Sequence, residues 1–476
     1  MRRTLHLSIG LLTLALSAVA AAQKPNILVF LVDDLGTYDV GCYGSSFYET
    51  PAIDALAAQG QRYTQAYSAH PRCVPSRYGF FTGRFPARDG CPGNTYNVAP
   101  EELTLAEALK AGGYRTFYTG KWHLAKTPEE MPEAQGFDIN IGGGHAGAPS
   151  SYFAPYNNSK DPHHHGGNLP GLEDAPEGEF LTDRLTDETI QFLKNHVAED
   201  PDQPFFAVLA HYAVHTPIEA KEDYTAYFTS KLGKRGKEAF IQRDGTTKTQ
   251  QDNAIYAAMI RSTDESMERV MQTLKTLNIA DNTLILFTSD HGGLSNRGAS
   301  NKRKLPTSNL PLRAGKGHLY EGGTRVPFII NWPGVTTPGS QSDALVTGTD
   351  VYATLLEAAE LPAEPEHAID SVSILPAIKG ESFERSPIVW HSPRPRPEST
   401  GDRAASALRD GDYKLLKFYY PEVHYELYNV TTDPGENQDL SKSQPERCKQ
   451  LAALLNAKLT ELAAIDTWPT KKRPAK

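Results

Sequence analysis

The stretch Asn26-Ile-Leu-Val-Phe-Leu-Val32, followed directly by Asp33 and Asp34, decides the fold of this 476-residue chain. A short, continuous apolar run rich in β-branched and aromatic residues is typical of a strand that is buried on both faces. Helical stretches separate this run from others of the same kind, and such alternation predicts an α/β protein with a large, mostly parallel or mixed sheet between layers of helices. The other strands that we predict for this sheet are 62–67, 114–119, 205–210 and 283–288.

Local signals place helices between these strands. Thr50 and Pro51 are typical of a helix start, and Gly60 is typical of its end. Thr104 and Glu107 have the spacing of a capping box, which predicts the start of another helix. Longer helices are expected at 183–196 and 253–277.

The character of the sequence changes after about Pro362. Proline-rich connections lead to short alternating strands at 405–408, 413–418 and 425–428, and a single amphipathic helix follows at 445–464. We therefore expect a large α/β domain at 23–365 and a smaller subdomain, an antiparallel sheet with a helix, at 366–476.

The first 22 residues form a separate segment. Arg2 and Arg3 precede an apolar run from Leu5 to Leu16, and small residues follow as far as Ala22. This layout is typical of a secretory signal peptide, and the run is shorter than the ~20 residues that span a bilayer. We therefore expect an exported protein, periplasmic or extracellular, without stable membrane insertion.

Charge and cysteine content argue against a nucleic-acid-binding protein and against a protein built on a disulfide framework. The net charge of −9, from 48 basic and 57 acidic residues, argues against a protein that binds nucleic acid. The chain has 4 cysteines, too few for a disulfide framework in a chain of this length. A bridge between Cys42 and Cys91 remains open.

Polar side chains follow the strong strands at the point where each strand ends. In an open parallel sheet the ligand crevice lies beyond the carboxyl ends of the strands, so these side chains should meet in one place. They are Asp33 and Asp34 after the first strand, Lys121 and His123 after 114–119, His211 and His215 after 205–210, and Asp290 and His291 after 283–288.

Four of these residues, Asp33, Asp34, Asp290 and His291, suggest a metal site. They offer mainly carboxylate oxygens, which favour Ca²⁺ or Mg²⁺ over zinc. Either pair alone could instead cap a turn or a helix. Two pairs in one crevice favour a divalent cation, because a cation removes the repulsion between neighbouring carboxylates.

A second candidate segment is Cys73-Val-Pro-Ser-Arg77. Pro75 suits the first turn of a helix that runs to Phe81, and Gly83 suits its end. Cys73 would then lie just before a helix N-terminus, which favours an anion, and Arg77 would project toward the same site. From these residues alone, Cys73 could also be a buried free thiol or a thiolate nucleophile.

Cys73-Val-Pro-Ser-Arg77, followed by Thr82-Gly-Arg84, resembles the signature of the type I sulfatases of the alkaline phosphatase superfamily. The resemblance implies an alkaline phosphatase-like fold and hydrolysis of sulfate monoesters. Two alternatives stay open: a phosphate or phosphonate monoester hydrolase of the same superfamily, and a non-catalytic relative that binds sulfated glycans. Further stretches resemble the family in the same order along the chain: 26–34, 50–54, 119–123, 215–217, 289–293 and 315–323.

The resemblance also implies a modification and a cofactor. Cys73 would be oxidised to Cα-formylglycine by a formylglycine-generating enzyme or an anaerobic sulfatase-maturating enzyme. The resemblance implies that Asp33, Asp34, Asp290 and His291 hold one metal ion. This ion is usually calcium in the family, and magnesium is the other choice. Family members often carry asparagine where His291 stands.

The remaining roles that the resemblance implies follow from the charge of a sulfate ester. Arg77, Lys121 and Lys316 would supply fixed positive charge around the sulfate. A hydroxyl of the hydrated aldehyde, assisted by Asp290, would attack sulfur. We expect His215 to protonate the leaving alkoxide and His123 to act as the base that releases sulfate.

The stretch from 309–313 through 323–327 resembles secreted bacterial enzymes that desulfate polysaccharides, so a sulfated polysaccharide or oligosaccharide is the expected substrate. His145 or Ser150, in a glycine-rich stretch, and His211 are weaker candidates for contacts with it. Four cations are either solvated surface charges or hold anionic groups of the sugar: Arg303, Lys304, Arg394 and Arg396.

Overall fold

The computed structural model describes residues 24–88, 97–156, 169–233, 238–363, 366–385 and 387–464. The predicted signal peptide at 1–22 lies outside these residues. Within the described ranges, no helix is both long and apolar enough to cross a bilayer. Cys42 is a free thiol, while Cys91 lies in one of the gaps.

An eight-stranded sheet forms the centre of the larger part of the structure. Its strands are parallel to their neighbours except for one near the middle of the order, which is antiparallel to both of its neighbours. The predicted fold class is confirmed. In spatial order the strands are β12 (Ser340–Ser342), β2 (Gln61–Tyr63), β11 (Phe328–Asn331), which is the antiparallel one, β9 (Thr283–Ser289), β1 (Asn26–Val32), β6 (Phe205–Ala210), β4 (Arg115–Gly120) and β5 (Ile139–Ile141).

Helices cover both faces of this sheet. Strand β1 is buried throughout, with Leu28 and Phe30 in one hydrophobic cluster and Ile27 and Val29 in the other, as alternation along a strand requires. The first cluster includes residues of α1, α4, α5 and α6, and the second includes residues of α2, α3, α8 and α9. The helices are α1 (Pro51–Gln59), α2 (Cys73–Thr82), α3 (Leu105–Ala111), α4 (Leu181–Glu199), α5 (Glu222–Leu232), α6 (Ala254–Thr276), α7 (Glu321–Thr324), α8 (Asp350–Ala358) and α9 (Leu375–Ile378).

The structure confirms the predicted capping box and divides one predicted strand into two. In the capping box, Glu107 N donates to Thr104 Oγ1 at 3.2 Å and Thr104 N donates to Glu107 Oε2 at 2.8 Å. The strand predicted at 62–67 is divided into β2 and β3 (Ala66–Tyr67), and β3 pairs with β13 (Val346–Thr347) rather than with the central sheet. A further small sheet consists of β7 (Phe240–Gln242), β8 (Thr246–Lys248) and β10 (Asn296–Arg297).

The C-terminal part is a four-stranded antiparallel sheet with one helix packed on it. The sequence predicted three of its strands and the helix. It did not predict the edge strand, Ile388–Ser392, because this short segment ends in two polar residues and leads into the proline-rich segment. Tyr67 and Phe85 join its hydrophobic core, so the sheet is anchored on the larger part. Its elements are β14 (Ile388–Ser392), β15 (Ala405–Asp410), β16 (Tyr413–Phe418), β17 (His424–Asn429) and α10 (Pro445–Glu461).

Candidate active site

The carboxyl ends of β1 and β9 place two carboxylates side by side. Val32 pairs with Ser289 in the parallel register, and the amide of Asp290 donates to the carbonyl of Val32 at 3.1 Å. The amide of Asp34 in turn donates to Oδ1 of Asp290 at 3.2 Å. The crevice predicted at this edge therefore holds the side chains of both strand ends.

A buried ion pair joins this pair of strands to β4. The Nζ of Lys121 donates to Oδ2 of Asp33 at 2.5 Å, and both side chains are fully buried. Lys121 follows β4 directly, and its amide donates to the carbonyl of Ala210 at the end of β6. Polar groups from the ends of β1, β4 and β9 thus meet, as the sequence predicted.

Cys73 lies at the centre of this group. It is the first residue of α2, one position further into the helix than expected, and it is buried. Its Sγ lies 3.4 Å from Nε2 of His291. The ligand atoms of Cys73, Asp33, Asp290 and His291 all lie within 4.8 Å of one another.

The surroundings of the Cys73 sulfur favour an anion. Burial raises the pKa of the thiol, but Lys121, Lys316 and hydrogen bonds with His123 and His291 outweigh it, and the pKa lies well below its ordinary value. A negatively charged group is therefore stable at this position, beside the N-terminus of α2.

Each carboxylate of the site has a different partner. Burial raises the pKa of Asp33 well above its ordinary value despite Lys121, and Oδ1 of Asp33 has no hydrogen-bond partner among the described residues. Lys316 donates to both oxygens of Asp34, at 2.7 and 2.9 Å, which keeps the pKa of Asp34 low despite its burial. Arg77 Nε donates to Oδ2 of Asp290 at 3.0 Å.

The imidazole of His291 lies between two of these carboxylates. Its Nε2 is 3.3 Å from Oδ1 of Asp34 and 3.5 Å from Oδ1 of Asp290. Burial lowers its pKa, but Asp290 and Asp34 outweigh burial and raise it to about 9. The other ring nitrogen, Nδ1, is 3.1 Å from the carbonyl of Gly292, which fixes the ring with Nε2 toward the carboxylates.

These residues fit a divalent cation. The free Oδ1 of the buried Asp33 needs a partner, and the ligand atoms of Asp33, Asp290 and His291 lie within 4.8 Å of one another. Asp34 belongs to a second group, with Cys73 and His215, and its Oδ1 lies 3.3 Å from Nε2 of His291. The set is rich in carboxylate oxygen, which hard cations such as Ca²⁺ and Mg²⁺ prefer.

Two further histidines flank the group. The His123 ring is hydrogen-bonded with the Cys73 sulfur, and its Nδ1 has no partner among the described residues. Nε2 of His215 lies 3.9 Å from Oδ2 of Asp34, and Nδ1 lies 2.7 Å from the carbonyl of Thr216. Burial lowers the pKa of His123 to about 4. Burial and the positive charge of Lys316 lower the pKa of His215 to about 3. Both rings are therefore neutral at neutral pH.

The weaker candidates from the sequence are scattered around the site. His211 is buried beneath it, with Nε2 2.9 Å from Ser266 Oγ of α6 and its ring near Phe30, a placement that does not support the predicted substrate contact. His145 is exposed, with Nδ1 3.0 Å from the carbonyl of Ala125. Ser150 is half-buried at the same loop.

Sequence reasoning missed Arg72, the residue before Cys73. Its buried guanidinium forms an ion pair with Asp402 and donates to the carbonyl of Arg394 at 2.8 Å. These contacts fix the start of α2 against the C-terminal part. The residue's position beside the cysteine motif was a usable signal, whereas its partner, 330 residues away, was not.

Comparisons with known proteins agree with this geometry. The family model described as Sulfatase matches residues 25–361, and the one described as N-sulphoglucosamine sulphohydrolase, C-terminal, matches residues 314–464. The chain is 30% identical to a sulfatase of Formosa agariphila over 94% of this chain and 90% of that protein. It is 33% identical to the N-acetylgalactosamine-6-sulfatase of Sus scrofa over 81% of this chain and 72% of that protein.

A solved structure, that of Ps i-CgsB in complex with k-i-k-neocarrahexaose, shares 30% identity with this chain and superimposes with a TM-score of 0.76, over 94% of this chain and 96% of that one. The sulfatase family model alone spans the central sheet, Cys73 and every metal-ligand candidate. The chain belongs to the sulfatase family, as its motifs predicted, and it is a sulfuric ester hydrolase with an alkaline phosphatase-like fold.

Proposed function

We propose that this protein is an exported sulfatase that removes sulfate from a sulfated polysaccharide or oligosaccharide, with Cα-formylglycine formed from Cys73 and one divalent cation. The observation that carries the proposal is the convergence of the Cys73 sulfur with Asp33, Asp290 and His291 within 4.8 Å. Export rests on the character of the first 22 residues alone.

The names of the relatives support the substrate class. The relative from Sus scrofa is named for N-acetylgalactosamine 6-sulfate, and the solved structure is a complex with a neocarrahexaose. Both are carbohydrates, and both proteins are at least 30% identical to this chain over most of its length. A sulfated glycan is therefore a better expectation than a steroid or small aryl ester.

The cation would be held by Asp33, Asp34, Asp290 and His291, with Ca²⁺ as the first choice and Mg²⁺ as the second. When bound, it would supply positive charge that stabilises the oxygen nucleophile and the sulfate oxygens. The free Oδ1 of Asp33 supports this assignment, because a buried carboxylate oxygen without a partner is rare.

The lysines and Arg77 would hold the sulfate. Lys121 and Arg77 are fully buried, and Lys316 is nearly so. Because their ion pairs with Asp33, Asp290 and Asp34 fix them before any substrate arrives, they can stabilise charge on the sulfate without rearranging.

The two neutral histidines suit proton transfer. His123 can accept a proton in its neutral form, and we assign it as the base that releases sulfate from residue 73. His215 must carry a proton to act as the acid for the leaving alkoxide. The negative charge of a bound sulfate raises the pKa of His215 toward that state.

The test uses protein produced with and without the maturation enzyme, and records the mass of the Cys73 peptide on the same samples as sulfate release from defined sulfated oligosaccharides. We expect sulfate release to follow the modified fraction and C73A to be inactive even with the maturation enzyme present. Sulfate release by C73A, or by fully unmodified protein at the rate of modified protein, would overturn the proposal.

A further inference from the structure

The segment 394–402, which we call the C-terminal turn, forms an ion pair and a hydrogen bond with residues beside the catalytic candidates. Arg72, next to Cys73, pairs with Asp402. Nε2 of His318, two residues after Lys316, is 2.8 Å from the carbonyl of Thr400. The turn therefore forms part of the rim of the site.

A second loop, 298–303, is hydrogen-bonded to this turn. The amide of Gly298 donates to the carbonyl of Ser399 at 3.3 Å, and Nδ2 of Asn301 donates to the carbonyl of Glu398 at 2.7 Å. A Cβ on Gly298 would lie 2.3 Å from the carbonyl oxygen of Pro397, so only glycine permits this approach. The two loops are thus one continuous surface.

Each loop presents an arginine. Arg396 is exposed, and its backbone is fixed by its amide, which donates to Asp402 Oδ2 at 3.2 Å. Its guanidinium is near enough to Arg72 and to the Cys73 sulfur that both affect its pKa. Nη2 of Arg303 donates to Thr216 Oγ1 at 3.3 Å, and Thr216 is the neighbour of His215.

Neither of these two arginines has an ion-pair partner in the part of the chain that the structure describes. Among the described residues, no carboxylate forms an ion pair with either guanidinium, whereas the nearby Arg403 pairs with Glu426 at 3.3 Å and Arg313 pairs with Asp244 at 2.7 Å. Asp402 is the acid that affects the pKa of Arg396, and its carboxylate is already paired with Arg72. Uncompensated arginines beside a pocket that already holds Lys121 and Lys316 favour an anionic ligand.

We propose that Arg396, with Arg303 on the adjoining loop, binds a second anionic group of the glycan, a sulfate or a carboxylate that is not itself removed. Arginine suits both groups, because its planar fork donates two parallel hydrogen bonds to them. Asp402 is a positioning residue, since it fixes the turn that carries Arg396. This inference rests on the proposed function and deepens it.

The test compares R396A and R303A with the wild-type on two pairs of oligosaccharides. In the first pair the substrates differ only in the presence of a second sulfate, and in the second pair a uronic acid is present free or as its methyl ester. The preference is the ratio of kcat/KM for the substrate with the additional anion to kcat/KM for the substrate without it. We expect this ratio to fall about 10–100-fold in each variant, mainly because KM rises for the substrate with the additional anion. The pair that shows the loss identifies the anion as sulfate or carboxylate.

R396K should recover part of the preference, because it restores the charge but not the fork. The matched control is R447A, which removes an arginine that lies over Tyr413 on the C-terminal sheet and should keep the wild-type preference. Equal losses on both members of each pair would indicate a merely structural role and overturn the inference, as would an unchanged preference.

A binding measurement separates this inference from the proposed function. C73A and C73A/R396A are titrated with the same oligosaccharide pairs by calorimetry, where no turnover is needed. Loss of the binding preference in the double variant supports the role of Arg396 even if wild-type protein releases no sulfate, a result that would overturn only the proposed function. Equal preference in both variants overturns the inference.

Discussion

The Sγ of Cys73 lies 3.4 Å from Nε2 of His291, although 218 residues separate the two in the chain. The contact joins the first residue of α2 to the end of β9, and therefore joins the residue that would be modified to the residues that would hold a cation. A change at His291 should affect both cation binding and the chemistry at residue 73.

We expect H291A to bind Ca²⁺ about ten-fold or more weakly than wild-type protein, because a donor to the cation is lost. H291N should retain most of the affinity, since an amide oxygen can replace the ring nitrogen. The measurement is the rise in Tm on addition of Ca²⁺, which follows the affinity for the folded state. The control H145N changes an exposed histidine. An equal rise in H291A and wild-type would contradict the assignment of His291 as a ligand.

H215A tests the proposed acid. The variant should lose about 10²–10⁴-fold in kcat on a glycan sulfate, whose alkoxide leaving group needs a proton, and far less on 4-nitrophenyl sulfate, whose leaving group does not. Steady-state rates on the two substrates give the comparison. If both rates fall by the same factor, His215 has another role, such as holding Asp34, whose Oδ2 lies 3.9 Å from its Nε2.

H123A tests the proposed base. His123 is hydrogen-bonded with the sulfur of Cys73, so its loss should slow the release of sulfate from residue 73 more than its transfer to that residue. We expect sulfate to stay attached to the Cys73 peptide after a short reaction and an acid quench, as seen by mass spectrometry. An inactive variant whose peptide carries no sulfate would show that His123 acts before transfer.

The central strands and the side chains at their ends could be predicted because both depend on local sequence. The apolar run of β1 requires burial wherever it lies, and the chain order of a parallel sheet brings the strand ends to one edge. The capping box between Thr104 and Glu107 is likewise decided within four residues. None of these features depends on how distant segments pack.

The contacts of the C-terminal part could not be predicted for the opposite reason. The ion pair between Arg72 and Asp402 forms only after the antiparallel sheet has packed against the larger part of the molecule. For Arg303 and Arg396 the sequence left two roles open, a solvated surface charge or a contact with an anionic group of the sugar, and it could not decide between them. Their significance comes from the absence of acidic partners among the described residues, a property that only three-dimensional positions reveal.

The last prediction concerns a buried cluster between the two parts of the molecule. The Nζ of Lys414 donates to Glu321 Oε1 at 3.0 Å and lies 3.7 Å from Glu436 Oε1. All three side chains are fully buried, so one cation faces two carboxylates. Burial raises the pKa of Glu436 from its ordinary value of 4.5 to about 8, and Glu321 adds to the effect while Lys414 opposes it.

Because the folded state holds this proton more tightly than the unfolded state, the stability that Glu436 contributes is fully present below pH 4.5 and is lost as the pH rises to about 8. E436Q stays neutral and should not suffer this loss. The difference in the free energy of unfolding between E436Q and wild-type should therefore shift by about 4 kcal/mol in favour of E436Q between pH 5 and 8.5. Urea unfolding at several pH values measures it, with E422Q at an exposed glutamate as the control. Other buried acids with raised pKa, such as Asp264, act equally in both proteins and cancel in the difference. A difference that stays constant with pH would mean that Glu436 is ionised in the folded protein and that Lys414 balances both carboxylates.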